Sequence, residues 1–217
     1  MMKSFFILGT DTDIGKTYIS SLLYKGLRKY GCSYYKPVQS GALDNKSPDV
    51  EFLCKFNDIP YDDTLCSYKF EYEVSPHLAS EKENITIDKS IILEKINENK
   101  TKNKFNIIEG AGGIFVPLIR GKYYNFDLIK DASLPVILVC STKVGSINHT
   151  MLTLEFLKKE KIDVYGLVFN NYTDKEYEKD NIKVILEESR VNNYLIVRAN
   201  EEDILSDKLK KFFKIEE

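Results

Sequence analysis

Residues Ser4 to Thr17, SFFILGTDTDIGKT, constrain this chain more than any other stretch. Ser4–Leu8 is a short apolar run of the kind a buried parallel strand shows. Gly9 to Thr17 reads as a phosphate-binding loop of the G-x-x-x-x-G-K-S/T kind, with Gly9, Gly15, Lys16 and Thr17 as its fixed positions. Glycines let the backbone curl so that successive N–H groups converge on one anion, and the following helix adds its positive end. Lys16 then reaches the terminal phosphates of a nucleotide, and the Thr17 hydroxyl is a ligand for Mg2+. An apolar strand before the loop and an amphipathic helix after it are the context this chemistry needs.

The remaining chain supplies the rest of an α/β domain. Thr17–Tyr30 carries Ile19, Leu22, Leu23 and Leu27, a helical stripe, and Gly31 stops it. Ser33–Lys36 reads as a second strand with Lys36–Gly41 leaving it as a loop. Ser47-Pro48-Asp49 reads as the cap and first turn of a helix to about Asn57. Ile59–Glu83 gives no clear pattern except a short helix opening at Ser75-Pro76-His77. Helices are expected over Asp88–Glu98, Asn125–Ala132, Asn148–Lys159, Lys175–Ser189 and Glu201–Phe213. Strands are expected at Phe105–Ile108, Leu134–Cys140, Val164–Phe169, closed by Asn170-Asn171, and Tyr194–Val197. Strands alternating with helices mean a mostly parallel sheet with helices on both faces. With no linker or repeat, residues 1–217 read as one P-loop NTPase-like domain.

Composition narrows the partners. A net charge of −2 on 217 residues advertises neither nucleic acid nor an anionic membrane. The longest apolar runs are strand-sized, far short of a membrane span. Cys32, Cys54, Cys66 and Cys140 have neither metal-site nor disulfide spacing, so they read as core residues of a cytoplasmic protein.

In such a fold ligands sit at the carboxyl ends of the strands, where the informative residues fall. Glu109 ends an apolar strand before Gly110-Ala111-Gly112-Gly113, the place of an acid that holds or orients Mg2+. Lys36 ends another strand, placed to stabilise charge on a transferring phosphoryl group. Asp11 and Asp13 are odd in an anion-binding loop. Two readings are equally open: both face solvent, or Asp13 faces an amine substrate. Ser146-Ile147-Asn148 reads first as a plain helix cap, with free N–H groups that suit a carboxylate or phosphate. His77 and His149 read as packed residues.

GTDTDIGKT, YKPVQSG, EGAGGIFVPL and LPVILVCSTKVGSINHTMLTL, in this order, together resemble the dethiobiotin synthetase family. The resemblance spans Phe5 to about Asn170. It implies a P-loop homodimer that uses ATP, Mg2+ and CO2 to close a cyclic urea on 7,8-diaminononanoate. An amine carbamate is phosphorylated to a carbamic–phosphoric anhydride, and the second amine displaces phosphate. Carried over, Thr12, Asp13, Lys16 and Lys36 are catalytic. Asp13, Ile14, Gly15, Lys16, Thr17 and Tyr18 hold the nucleotide, and Asn170 reads adenine. Thr12, Asp13, Lys36, Ser40 and Gly112 meet the diamine and its carbamate. Gly145, Ser146, Ile147 and Asn148 bind the substrate carboxylate from the neighbouring subunit, so each active site spans the dimer. Thr17, Asp49 and Glu109 hold Mg2+.

Two departures stand out. Pro48 precedes Asp49 after a short loop, which leaves Asp44 as an alternative ligand. The family's Gly-x-x-Pro turn after the last strand is replaced by Val197-Arg198-Ala199-Asn200. Rival readings are a ParA/MinD-like ATPase, whose loop carries a second lysine where this chain has Asp11, and a non-catalytic nucleotide-sensing module.

Overall fold

In β1 (Lys3–Gly9) Phe6 and Leu8 join one core cluster and Phe5 and Ile7 another, and all four are buried. A strand buried on both faces belongs inside a parallel sheet covered by helices. The computed structural model, which describes residues 2–216, has that sheet, with seven strands in the order β3-β2-β4-β1-β7-β8-β9. Its members are β1, β2 (Cys32–Ser40), β3 (Cys66–Phe70), β4 (Phe105–Glu109), β7 (Val136–Ser141), β8 (Val164–Tyr172) and β9 (Tyr194–Arg198). Every neighbouring pair is parallel. A small antiparallel pair, β5 (Pro117–Ile119) and β6 (Tyr123–Tyr124), stands apart.

One face is covered by α1 (Lys16–Leu27), α2 (Pro48–Phe56) and α8 (Ser206–Phe213), which contribute Ile19, Val50 and Leu209 to its core. The other takes α3 (Pro76–Lys82), α4 (Lys89–Lys102), α5 (Asn125–Asp131), α6 (Ser146–Lys159) and α7 (Glu176–Ser189). Ala79, Ile92, Leu128, Leu154 and Ile185 anchor these. The α1 stripe expected from sequence is buried at Ile19, Leu22, Leu23 and Leu27, a short 3-10 turn follows it over Arg28–Tyr30, and Gly31 ends that turn at φ +79°. Ser47 caps α2 by accepting from the Val50 amide at 3.3 Å. Among the described residues no helix is long and apolar enough to cross a membrane. Cys54, Cys66 and Cys140 are buried, and all four cysteines are free.

Several boundaries differ from the sequence expectation. β2 does not end at Lys36 but runs to Ser40, so Lys36–Ser40 is strand rather than loop. The strand changes partner there, pairing with β4 through Tyr35 and with β3 from Lys36. Pro37 falls just past the changeover, where its missing N–H costs no bond to β4. The unassigned stretch holds edge strand β3. Asn170 and Asn171 lie within β8, which continues to Tyr172, and β7 starts at Val136. α8 starts at Ser206 rather than Glu201, because α1 captures the intervening backbone. The Tyr18 hydroxyl donates to the Glu201 carbonyl, and Lys25 Nζ donates to the Glu202 carbonyl at 3.1 Å.

Candidate active site

The centre of the sheet delivers β1 and its loop to one end, and the neighbouring strand ends complete a cleft of about 880 Å3. Five residues, not four, separate Gly9 from Gly15, so the eight-residue phosphate-loop signature starts at Thr10 and Gly9 is the last residue of β1. Gly9 serves close packing: a Cβ there would lie 2.7 Å from both the Asp11 carbonyl and Ile14 Cγ2. Gly15 adopts φ +91° and a Cβ would strike Asn170 Nδ2 at 2.2 Å, so only glycine fits.

A charged cluster forms where β2, β4, α1 and α2 meet. Lys36 Nζ lies 2.5 Å from Asp49 Oδ2 and 3.0 Å from Glu109 Oε1. The Thr17 hydroxyl donates to Glu109 Oε1 at 2.8 Å, and the Tyr34 hydroxyl donates to Glu109 Oε2 at 3.0 Å. Glu109 is fully buried and Lys36 is 3% exposed. Burial penalises the Lys36 ammonium, yet Asp49 and Glu109 outweigh that and hold its pKa above the usual lysine value. Asp49 shows the mirror effect: burial pushes its carboxyl up, and Lys36 brings it below its usual range. Lys16, also buried, donates to the Asp11 carbonyl at 3.3 Å. Burial and the nearby Lys36 lower its pKa.

The converging oxygens are those a small, hard cation accepts. Two carboxylates and a hydroxyl leave room for water and phosphate oxygens around Mg2+. Among the described residues no group of three or more His, Cys, Asp or Glu side chains is placed to hold a metal ion. Asp49 lines the cleft, whereas Asp44 sits on an exposed turn at φ +48°.

The structure brings Thr12, Asp13, Gly15, Lys16, Thr17, Tyr18, Lys36, Ser40, Asp49, Glu109 and Gly112 together around this one cleft. Asp13 is exposed at φ +56°, and Asp11 turns back to accept from the Thr12 amide at 2.7 Å. Ile14 and Asn170 lie just behind the loop: Asn170 Nδ2 donates to the Ile14 carbonyl at 2.9 Å, while Asn170 Oδ1 is buried without a partner. Gly145, Ser146, Ile147 and Asn148 do not line the cleft. They open α6, where Gly145, at φ +94°, takes the cap position. Ser146 does not cap with its side chain. It is the first helical residue, and its Oγ is buried and unpartnered. His149 is exposed rather than packed, and His77 is half-buried with Nδ1 unpartnered.

Sequence reasoning missed Tyr34, Glu73, Phe52 and Glu178. Tyr34 and Phe52 sit where apolar periodicity reads only as packing. Glu178 looks like one charge among many on α7, yet it is 1% exposed. It accepts from the Thr142 hydroxyl at 2.5 Å and from the Thr173 amide at 2.9 Å. Those donors outweigh burial and bring its pKa down to about 2.

A central phosphate loop, an acid at the end of the adjacent strand and a two-faced parallel sheet define a P-loop NTPase. The fold agrees with a plasmid partition protein of Borrelia burgdorferi solved with AMPPNP, at TM-score 0.59, 13% identity and coverage of 99% of this chain and 96% of that one. A ParA family ATPase of Chlorobium tepidum aligns at TM-score 0.55 and 10% identity, covering 100% of this chain and 95% of that one. At such identities the likeness concerns the fold alone. A family model described as an AAA domain matches residues 3–203. An ATP-dependent dethiobiotin synthetase BioD of Fusobacterium nucleatum is 53% identical over 215 residues, 97% of this chain and 98% of that protein. Its counterpart in Clostridium botulinum is 38% identical over 224 residues, 98% and 99% of the two chains. The chain belongs to the ATP-dependent dethiobiotin synthetase family.

Proposed function

We propose that this chain acts as one domain that carboxylates 7,8-diaminononanoate with CO2 and closes the ring to dethiobiotin, consuming ATP with Mg2+. The observation that carries the reading is the Lys36–Asp49–Glu109–Thr17 cluster beside Lys16, in a chain 53% identical to a named synthetase over nearly its whole length. Phosphoryl transfer is mostly positioning and charge stabilisation. Loop amides and Lys16 hold the triphosphate, and Lys36 faces the γ-phosphate and the carbamate. Thr17, Asp49 and Glu109 would hold Mg2+, which neutralises phosphate charge when bound. The carbamate oxygen attacks the γ-phosphorus and ADP leaves. The second amine then attacks the carbonyl carbon, phosphate leaves, and that nitrogen gives up its proton. Asp13 and Thr12 orient the nitrogens, which explains acids in an anion loop.

A homodimer with shared sites suits the surface. Asn148, Leu152 and Phe156 recur every four residues on α6, so they share one face. Leu152 is 64% exposed, and Phe115, 59% exposed, packs on Phe156 at 4.6 Å. Pairing that face would carry Gly145–Asn148 toward a partner's cleft and its substrate carboxylate. Four free cysteines suit the reducing cytoplasm. The test is incubation with ATP, Mg2+, bicarbonate and diaminononanoate, followed by mass analysis. Dethiobiotin is the expected product; ATP turnover without it would favour the sensing-module reading.

A further inference from the structure

The loop that follows β4 brings Ala111 and Gly112 to the cleft, and one buried side chain behind it governs how its peptides face. Asn125 opens α5, is 1% exposed and does not line the cleft. Its Nδ2 donates to the Ala111 carbonyl at 2.6 Å and to the Gly113 carbonyl at 2.7 Å. Its backbone amide donates to the Val116 carbonyl at 3.1 Å, so three bonds tie one residue to one loop. In a trans peptide the carbonyl and the following N–H point in opposite directions, and no described peptide bond is cis. With the Ala111 carbonyl drawn to the buried side, the Gly112 N–H faces away from Asn125. Gly112 makes no hydrogen bond among the described residues. A Cβ on Gly112 would lie 3.5 Å from Thr12 Oγ1, which places Gly112 beside the phosphate loop. Backbone donors are seldom left over in a folded chain unless water or a ligand takes them.

We propose that Asn125 is a positioning residue: it fixes the Ala111–Gly112 peptide so that the Gly112 N–H donates to the carbamoyl oxygen of the substrate. The proposal rests on the synthetase reading and adds to it a residue outside the cleft. Gly112 sits at φ +60°, and glycine lets a peptide turn either way at little cost, so its direction has to be set from outside. Asn125 can set it, because its amide presents donors to two carbonyls while Oδ1 is buried without a partner. The opposite amide orientation would set Oδ1 against both carbonyls. Thr12 orients the nitrogens, so a donor next to Thr12 is close to the carbon between them. When the second amine attacks that carbon, a C–N bond forms and the C=O electron pair moves onto oxygen. A donor already aimed there stabilises the charge with no reorganisation. The pair then returns, the bond to phosphate breaks, and the proton of the nitrogen passes to the departing phosphate.

The test compares the full chain with Asn125→Leu, which keeps the bulk and removes both side-chain donors. The readouts are kcat for dethiobiotin, KM for ATP, ADP affinity by calorimetry, and the crystal structure of the variant. Turnover should fall about tenfold to a hundredfold, less than the loss of a whole preorganised donor, because a misaimed amide keeps part of its contact. KM for ATP and ADP affinity should stay within about twofold, since the donor acts on charge that develops only in the transition state. The crystal structure should show the Ala111–Gly112 peptide turned over. A peptide that stays in place overturns the proposal, as does near-normal turnover. ADP affinity falling in step with kcat also overturns it, because that marks a general loosening of the site. Should Asn125→Leu not fold, Asn125→Ala carries the same measurements. If the wild-type chain makes no dethiobiotin, the synthetase reading fails and the carbamoyl ligand with it, while the peptide direction in the variant still decides the positioning role.

Discussion

Replacing Lys36 by methionine tests the centre of the site, because it removes a buried cation while keeping its stem. Asp49 and Glu109 would then share a water-poor space without the ammonium now 2.5 and 3.0 Å away. Removing one partner of a buried ion pair typically costs about 3–5 kcal/mol, because the remaining charge is uncompensated. At about 2–4 °C per kcal/mol for a chain of this size, the melting temperature should fall by about 6–20 °C near neutral pH. The sign with pH follows from the two shifts. The raised Lys36 pKa means that its contribution is fully present below the ordinary lysine value and is lost only above it. Without Lys36, the main influence that lowers the Asp49 carboxyl is gone, and only Thr17 and Lys16 remain to oppose its burial. The variant should therefore recover part of its deficit as pH falls from 8 to 5 and the carboxyl takes up a proton. Millimolar Mg2+ should raise its melting temperature more than that of wild type, since a cation replaces a cation. Turnover should drop at least about a hundredfold, the usual effect of losing one preorganised charge beside the reacting group. Thermal scans across pH, with and without Mg2+, plus steady-state rates decide it. A variant as stable as wild type at pH 8, or with near-normal turnover, would refute the reasoning.

Lys16→Ala should also lower turnover at least about a hundredfold with little effect on stability, measured by dethiobiotin formation. Mixing Lys16→Ala subunits with subunits disabled at Asn148 should restore partial activity, because one composite site per heterodimer is intact; no recovery in proven heterodimers refutes a shared site. Glu178→Gln should cost roughly 1–2 kcal/mol above pH 5. Wild type holds that advantage above the unfolded carboxyl pKa and loses it as pH falls toward about 2, so acid unfolding curves of the two should converge. ATP, CTP and GTP should support turnover within about two orders of magnitude in kcat/KM, because one asparagine contributes about tenfold and the altered Val197–Asn200 turn adds no evident second contact; a preference above about ten-thousandfold refutes this.

What the sequence disclosed and what it withheld follow from the range of the interactions. The phosphate loop, its strand and its helix are local: β1 is an apolar run, Gly15 takes a conformation closed to other residues, and α1 carries a regular stripe. Glu109 was legible because strand ends in such sheets face the ligand, whereas Lys36 was singled out by the same rule although β2 runs on past it to Ser40. The length of β2 was not, because Pro37 reads as a stop until the change of partner strand is known. The same holds for the start of α8, fixed by α1 side chains that bind backbone far along the chain.

Glu178 and Glu73 mark the limit in opposite ways. Each is one glutamate in a charged stretch, and no spacing rule separates them from their neighbours. Folding gives Glu178 donors from Thr142 and Thr173, and it becomes a buried anion that ties α7 to the loop leading into α6. Folding gives Glu73 no partner and a place in the cleft wall. Isolated carboxylates at a protein surface are ordinary, so exposure alone would carry little weight. Glu178 differs because its donors come from Thr142, 36 residues away, and Thr173, five residues away, and pairings of that range leave no mark in the local sequence.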